Sequence, residues 1–477
     1  MADRVFDVGQ FKRTILGERP GLSDLASLLG DYRLMVGAVI EAVVDRFERR
    51  AGYGFVDTKL SLIDGRDFAD DDPLRGPEVV YGWIQGRGLE ALAGHCQWLL
   101  RQEHIDAGAR AGLCRRLRDM TAAVAESMLR LRAANGGRLF FMMDRQGRPL
   151  RVGPGGKPAP FALPADAPAN MSELFFAKGL LAAGHLLGRA DWLELAHRAG
   201  QAVLAEIAAG RFRSDQQSLD PRNVALVPIP GRITHAPRMI GLGAAAIFVE
   251  LTGQESYLQT GLDFIDYILE HHVDTQGDGP TGQKFDMWEF AGPDGKAFID
   301  ADGALLCDPG HAAEFVGLGL RLLRCAQRRG LLGKVEPARL ARYRQLLSEV
   351  LRQNFANGFS PQGLGMVKAY DLIGRKPIND DMPWWNLPET MRAALESAGV
   401  APDAQKAPLA DIARRCSNAF MANYVRPELG LMAVQTLSAA GKVTPVVPAT
   451  PDADPGYHTG LSLIDCLNIL EETLGQG

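Results

Sequence analysis

Apolar residues recur three and four positions apart through most of this chain. The spacing is clear in residues 89–99 (LEALAGHCQWL), 173–187 (ELFFAKGLLAAGHLL), 239–251 (MIGLGAAAIFVEL), 315–325 (FVGLGLRLLRC) and 462–474 (SLIDCLNILEETL). A helical period gathers each apolar set on one face. Ala, Leu and Gly dominate these faces, so the predicted helices pack closely. They also come in pairs. Residues 181–187 lead through 188–191 into 192–207, 239–251 lead through Thr252, Gly253 and Gln254 into 255–269, and 315–327 lead through a Gly-rich turn into 337–351. A Gly that stops one helix and a polar cap that starts the next define an αα-hairpin.

Three hairpins in succession read as a degenerate repeat. Segments 22–53, 81–101 and 105–134 extend it before, and 384–398, 408–424 and 458–474 after. The expected class is all-α: about a dozen helices as two concentric rings, an α/α barrel. An open superhelix uses the same hairpins, and periodicity does not separate the two. The intervening stretches 136–165, 211–236, 274–310, 357–383 and 441–457 are long and rich in Gly, Pro and Asp. Loops of this length usually carry function. In a closed barrel they gather on one face and wall a pocket. Within the first, FFMMD, a turn at Arg145, Gln146 and Gly147, and RPLRV predict a small β-hairpin.

Composition narrows the classes. The chain has 477 residues, 46% hydrophobic and 23% charged, which excludes wholesale disorder. The net charge of −5, with no dense basic run, argues against general nucleic-acid binding but leaves room for a local basic pocket. No apolar run reaches the length of a membrane span, and the start, MADRVFDVGQFKRTILGERP, lacks a secretory pattern, so the expected compartment is the cytoplasm. Cysteines 96, 114, 307, 325, 416 and 466 form no CxxC, so no zinc site of the usual spacing is expected, and for Cys96, Cys325 and Cys466, inside apolar helical patterns, buried free thiols are the simple reading. A Walker loop, a Rossmann signal and a calcium loop are absent.

Candidate chemistry sits at the starts of predicted helices. His311 stands in DPGHAAEF, with Glu314 one turn on along the same face. A carboxylate beside a histidine orients the ring and raises its proton affinity; a pair that only caps the helix is the structural alternative. His458, in DPGYHTGLSL, repeats the Asp-Pro-Gly-then-His order. Arg87, in YGWIQGRGLEA, needs an anionic or carbonyl partner, either substrate or an internal carboxylate. His235 and Arg238 open another helix through THAPRM. Trp384, Trp385 and Glu389, in PWWNLPE, suit a sugar ring or, equally, a core. The acids Asp286, Glu289, Asp300, Asp302 and Asp308 allow hydrolysis of a glycosidic bond as a rival chemistry. His271 and His272 read as helix-end residues, and His95, His185 and His197 as packing or surface residues.

These motifs, in this order, resemble the N-acylglucosamine 2-epimerase family, which includes cellobiose 2-epimerases and aldose–ketose isomerases. QGRGLEALA, THAPRM with LTGQESYL, DPGHAAEFVGLGLRLL, PWWNLPETMRAALE and RPELGLMAVQTLSAAGKV with PGYHTGLSLIDCL carry the resemblance. It implies one α/α six-barrel over residues 1–477, with about the first 20 residues as an extension. It implies proton transfer beside the carbonyl of a ring-opened sugar. His311 and His458 would be the acid–base pair, Glu314 would orient His311, and Arg87 would stabilise the enediolate oxygen. His235, Arg238, Trp384, Trp385 and Glu389 would bind substrate. No metal or cofactor is expected, and the expected partner is a small sugar, with neither nucleic acid nor membrane and with room for a homodimer. Asp308 stands where the family usually has Asn, and PVVPATPDAD precedes His458 where many members carry a Gly/Lys-rich stretch. A glycoside hydrolase on a similar barrel and a non-catalytic sugar-binding protein are the alternatives.

Overall fold

The computed structural model describes residues 4–153, 156–164, 166–217, 229–429, 432–446 and 454–475. Twelve α-helices carry the architecture: α1 (Leu22–Arg49), α2 (Gly82–Leu100), α3 (Ala107–Ala134), α4 (Met171–Leu187), α5 (Ala190–Ala208), α6 (Ala236–Thr252), α7 (Glu255–His271), α8 (Pro309–Arg328), α9 (Pro337–Gly358), α10 (Asn386–Val400), α11 (Asp403–Asn423) and α12 (Ser462–Gly475). The even-numbered helices pack in sequence, α2 on α4, α4 on α6, α6 on α8, α8 on α10 and α10 on α12. The turn that opens α12 returns to α2 and closes the ring. Each odd-numbered helix lies against the even-numbered helix of its pair. The fold is an α/α barrel, as the hairpin periodicity predicts, and closure excludes the open superhelix.

Burial follows the two rings. In α4 every residue from Met171 to Gly184 except Glu173 is buried, because a helix in the inner ring meets protein on nearly all sides. Its outer partner α5 buries only a stripe, Trp192, Ala196, Gly200, Val203, Leu204 and Ile207, at helical spacing. The closest approach in the inner ring is α2 against α4. A Cβ on Gly86 would lie 2.5 Å from the Phe175 carbonyl carbon, and one on Gly179 would lie 2.4 Å from the Gly86 carbonyl oxygen. Only hydrogen at these positions lets the two backbones touch.

Short strands feed the inner helices. Val79–Tyr81 runs into α2, Ile233–Thr234 into α6, Leu306–Cys307 into α8 and Met382–Pro383 into α10. Each of these strands is paired, so the N-termini of these four inner helices are aimed by fixed lead-ins: Val79–Tyr81 with Met142–Asp144, Ile233–Thr234 with Phe290–Ala291, Leu306–Cys307 with Ala369–Asp371 and Met382–Pro383 with Thr436–Leu437. The expected hairpin of FFMMD with RPLRV is corrected here. Met142–Asp144 pairs with Val79–Tyr81, and Leu150–Val152 pairs with Pro158–Pro160, leaving a single bridge, Met143 to Pro149, between the two segments. Pro149 has no N–H to give to a longer ladder. The N-terminal segment packs on the barrel: Phe6 stacks on Trp98, and the backbone N–H groups of Lys12 and Thr14 donate to Asp31.

Because a methyl group on Gly179 would meet the Gly86 carbonyl oxygen, a group of the α2 backbone that cannot rotate away, Gly179→Ala is expected to lower stability by about 1–3 kcal/mol. Urea unfolding followed by circular dichroism checks this; a variant as stable as the parent would show that the two helices can separate freely.

Candidate active site

His311 is the third residue of α8. Asp308 caps that helix, its Oδ1 accepting from the N–H groups of Gly310 (3.0 Å) and His311 (3.3 Å). The His311 ring is held from the other side, its Nδ1 2.9 Å from Glu289 Oε2 and 3.5 Å from Asp308 Oδ2. Burial works against a charged ring, but Asp308 and Glu289 outweigh it and push His311 up to about 9. Glu289 is shared: Oε2 also lies 3.2 Å from His235 Nε2, and Oε1 accepts from the Thr234 hydroxyl (3.1 Å). Burial opposes its ionisation, yet His311 and His235 hold it well below the usual carboxylate range. The two shifts describe one buried ion pair. Behind it His272, 5.2 Å from the His235 ring, is driven well below an ordinary histidine by burial and stays neutral.

His458 sits in a single π-turn, Tyr457–Leu461, a distortion frequent at functional sites. Asp454 ties the turn down, accepting from the N–H groups of Tyr457 (2.8 Å), His458 (3.2 Å) and Thr459 (2.8 Å). Gly456 takes φ +88°, and Cβ atoms at Gly456 or Gly460 would meet His95 at 2.3 Å. His95 is thus the packing residue behind the turn, pushed down to about 4 by burial. His458 Nδ1 lies 2.9 Å from Glu389 Oε1, which also accepts from Ser462 Oγ (3.2 Å). The other oxygen of Glu389 pairs with Arg392, one turn along α10. Burial would raise Glu389, but Arg392 and His458 keep it low and ionised.

Trp385 joins the two sets. Its ring centroid is 5.7 Å from that of His311 and 5.6 Å from that of His458. Both histidines therefore face one indole, each with Nδ1 on a carboxylate and with Nε2 bound to none of the described residues. Arg87 stands close by, its guanidinium carbon 4.5 Å from the Phe175 ring centroid and 5.4 Å from those of Trp83 and Tyr457. It makes no ion pair among the described residues, and its Nε is buried without a partner. Tyr457 is itself fixed by the fully buried Lys178 (2.7 Å), which also pairs with Glu90 (2.9 Å).

Two expected roles change. Glu314 does not hold His311; it lies with Glu389 and His458, their ligating atoms within 4.8 Å of one another, because Asp308 and Glu289 already occupy the His311 Nδ1 side. Glu389 is not free for a sugar, since both oxygens are used inside the protein. Trp384 donates to Thr459 (3.2 Å) and so braces the His458 turn. Arg238 lies over Tyr267, on the first turn of α6 after His235. The acids proposed for hydrolysis are mostly committed: Asp286 to Arg375, Asp300 to Arg232, Asp308 to Lys368, Glu289 to two histidines. Arg392 and Lys368 were not among the expected site residues; the i, i+3 spacing of Glu389 and Arg392 was the available signal for the first. His235, Glu289 and His311, and likewise Glu314, Glu389 and His458, bring ligating atoms within 4.8 Å and have the donor types for a cation. Lys368 at Asp308 and Arg392 at Glu389 already supply positive charge beside both.

In this α/α barrel the starts of the inner helices bring two carboxylate-held histidines to one tryptophan. A family profile described as N-acylglucosamine 2-epimerase (GlcNAc 2-epimerase) matches residues 164–459. The chain belongs to that family, and is an enzyme of the carbohydrate epimerase–isomerase kind. In fold it is similar to the cellobiose 2-epimerase from Bacillus thermoamylovorans B4167, with a TM-score of 0.63 and 14% identity over 93% of this chain and 99% of that one. A sugar epimerase from a ruminal bacterium gives 0.62 and 13% over 91% and 98%, and a D-mannose isomerase 0.56 and 15% over 91% and 97%. No curated protein matches by sequence. Among the described residues no helix is long and apolar enough to cross a membrane.

Two measurements probe this geometry. The raised His311 value exceeds the free-histidine value of about 6.5. Its ion pair therefore stabilises the fold fully below that pH, and the stabilisation is lost as pH rises through about 9. Imidazole NMR should place the His311 midpoint near 9, and Asp308→Asn should lower it; a midpoint at or below 6.5 in the parent would contradict the ion pair. Arg392→Met should lower turnover by about 10- to 100-fold while Arg392→Lys retains more. Equal turnover in all three proteins would show that Glu389 holds His458 unaided.

Proposed function

We propose that this enzyme inverts C2 of a ring-opened aldose, or shifts its carbonyl to C2, through an enediolate. The observation that carries the reading is the placement of His311 and His458 against the one Trp385 ring. A C–H beside a carbonyl is a weak acid, so the base must be close and the developing oxyanion must be met by positive charge. His458, its Nδ1 hydrogen directed at ionised Glu389, offers Nε2 as the base. The C2–H bond breaks, its proton goes to that nitrogen, and the electron pair passes to the carbonyl oxygen. Arg87, unpaired beside Tyr457, is the group suited to that oxygen.

His311, carrying its proton at neutral pH, then supplies a hydrogen to the opposite face of C2, and the carbonyl re-forms. The protons on the two rings are reset by exchange with solvent. Return of the original proton to C1 by His458, with the O2 hydroxyl proton passing to O1, would give a ketose instead. His235 acts through Glu289, Trp385 offers the apolar platform for the sugar, and Glu314 lies beside His458 within reach of a hydroxyl. Residues 1–477 are read as one catalytic domain, since a single apolar cluster runs from Phe6 to Leu467. Six buried thiols without a disulfide support a cytoplasmic enzyme.

Proton NMR of the protein with aldoses, ketoses and N-acylhexosamines in D₂O is the direct test. Deuterium should appear at C2, and His311→Ala and His458→Ala should each slow its entry by about 10²- to 10⁴-fold. Arg87→Met should slow it by about 10²- to 10³-fold. Cleavage of a disaccharide without exchange would move the assignment to hydrolysis, and binding without exchange would leave a sugar-binding protein.

A further inference from the structure

Away from the histidine pair at Trp385, the ends of α3 and α5, the start of α4 and the first turn of α6 line a cavity of ≈ 1230 Å³. Among the described residues six arginines line it, Arg132, Arg138, Arg211, Arg213, Arg232 and Arg238, against three carboxylates, Asp166, Glu173 and Glu206. Three arginines are committed. Arg138 holds Glu173 and the carbonyls of Ala167 (2.9 Å) and Pro168 (2.7 Å), Arg211 pairs with Glu206 (2.8 Å), and Arg232 pairs with Asp300 (3.4 Å). The side chains of Arg132, Arg213 and Arg238 make no hydrogen bond or ion pair among the described residues. Asp166 is exposed at the rim and takes none of them.

Arg238 is the telling one. It is only 9% exposed, and its guanidinium carbon lies 3.5 Å from the Tyr267 ring centroid. Stacking uses the flat face of the guanidinium and leaves its N–H donors, which lie in the plane, without acceptors. Burial disfavours the charge on Arg238, and on Arg132 beside Phe176. A guanidinium largely withdrawn from water loses hydration at its donors, and an oxyanion reaching them would replace it. The forked donors match an oxyanion in two-point geometry. Arg238, the half-buried Arg132 and the exposed Arg213 together carry more positive charge than one carboxylate neutralises, so a dianion is favoured. The volume exceeds that of a lone phosphate and is of the order of a small-molecule site.

We propose that this cavity binds the phosphate group of a sugar-sized molecule, with Arg238 and Arg132 as its inner ligands and Arg213 at the mouth. The site lies next to the reacting centre without being part of it: Thr234 lines the cavity, and its hydroxyl reaches Glu289, the partner of His311.

Isothermal titration calorimetry on the full chain, with inorganic phosphate and with mannose 6-phosphate as probes, tests this. Both should bind saturably and more weakly at high salt. Arg238→Met and Arg132→Met should each weaken binding at least tenfold, and Arg238→Lys should keep part of it. Arg213→Met alters only an exposed side chain and guards against misfolding of the buried variants; it too should weaken binding. Tighter binding of mannose 6-phosphate would identify a phosphorylated sugar as the source, and equal binding free phosphate. No saturable heat with either probe at about 10 mM would overturn the proposal. So would affinities unchanged in all three methionine variants. The readout is binding without turnover, so its failure leaves the C2-exchange reading intact, and loss of exchange leaves this one intact.

Discussion

The centre of this protein depends on one buried carboxylate. Glu389 is 2% exposed, yet it stays ionised because Arg392 neutralises one oxygen while the other points at His458. An unpaired charge at that depth would be prohibitively costly. Arg392 is itself within reach of Asp465 (3.9 Å), which binds Arg324 (2.7 Å), which binds Glu396 (2.8 Å). Charge alternates across α8, α10 and α12, so the ring of inner helices is tied together by the same contacts that orient the histidine. Stability and chemistry share these residues, and a break at Arg392 is felt in both.

The opposite half uses a different device. Glu289 comes from the strand-rich loop before α8, not from a helix, and reaches two histidines at once. Asp308 adds a second negative group below His311, which leaves that ring protonated. One histidine is therefore supplied with a proton, and the other with an acceptor for its Nδ1 hydrogen. The proposed reaction, which takes a proton and gives one, would draw on this asymmetry. The short paired strands at the inner-helix starts make it reproducible, because they fix where each loop enters its helix.

Legibility in the sequence was uneven for physical reasons. The helix pairs were readable because amphipathic spacing and Gly stops are local signals. His311, His458 and Trp385 stand out in the sequence because each lies at a helix start beside Gly, Pro or aromatic residues, and Arg87 because it lies among aromatic and apolar residues. Their carboxylate partners were harder to assign. Glu314, one turn from His311, was the obvious local choice, but the ring turns to Glu289, 22 residues earlier in the chain. Glu389 looked like a sugar ligand and proved to be the support of a histidine 69 residues away.

Period, caps and composition alone determined that this chain would form paired helices with long polar loops, since those signals act within a few residues. They also marked the helix starts where chemistry would sit. Closure of the ring, the approach of α2 to α4 at Gly86 and Gly179, the partner of each histidine and the empty donors of Arg238 were decided only by tertiary structure. Each depends on which distant surface a side chain meets when the rings close, and that distance has no counterpart in the linear order of residues.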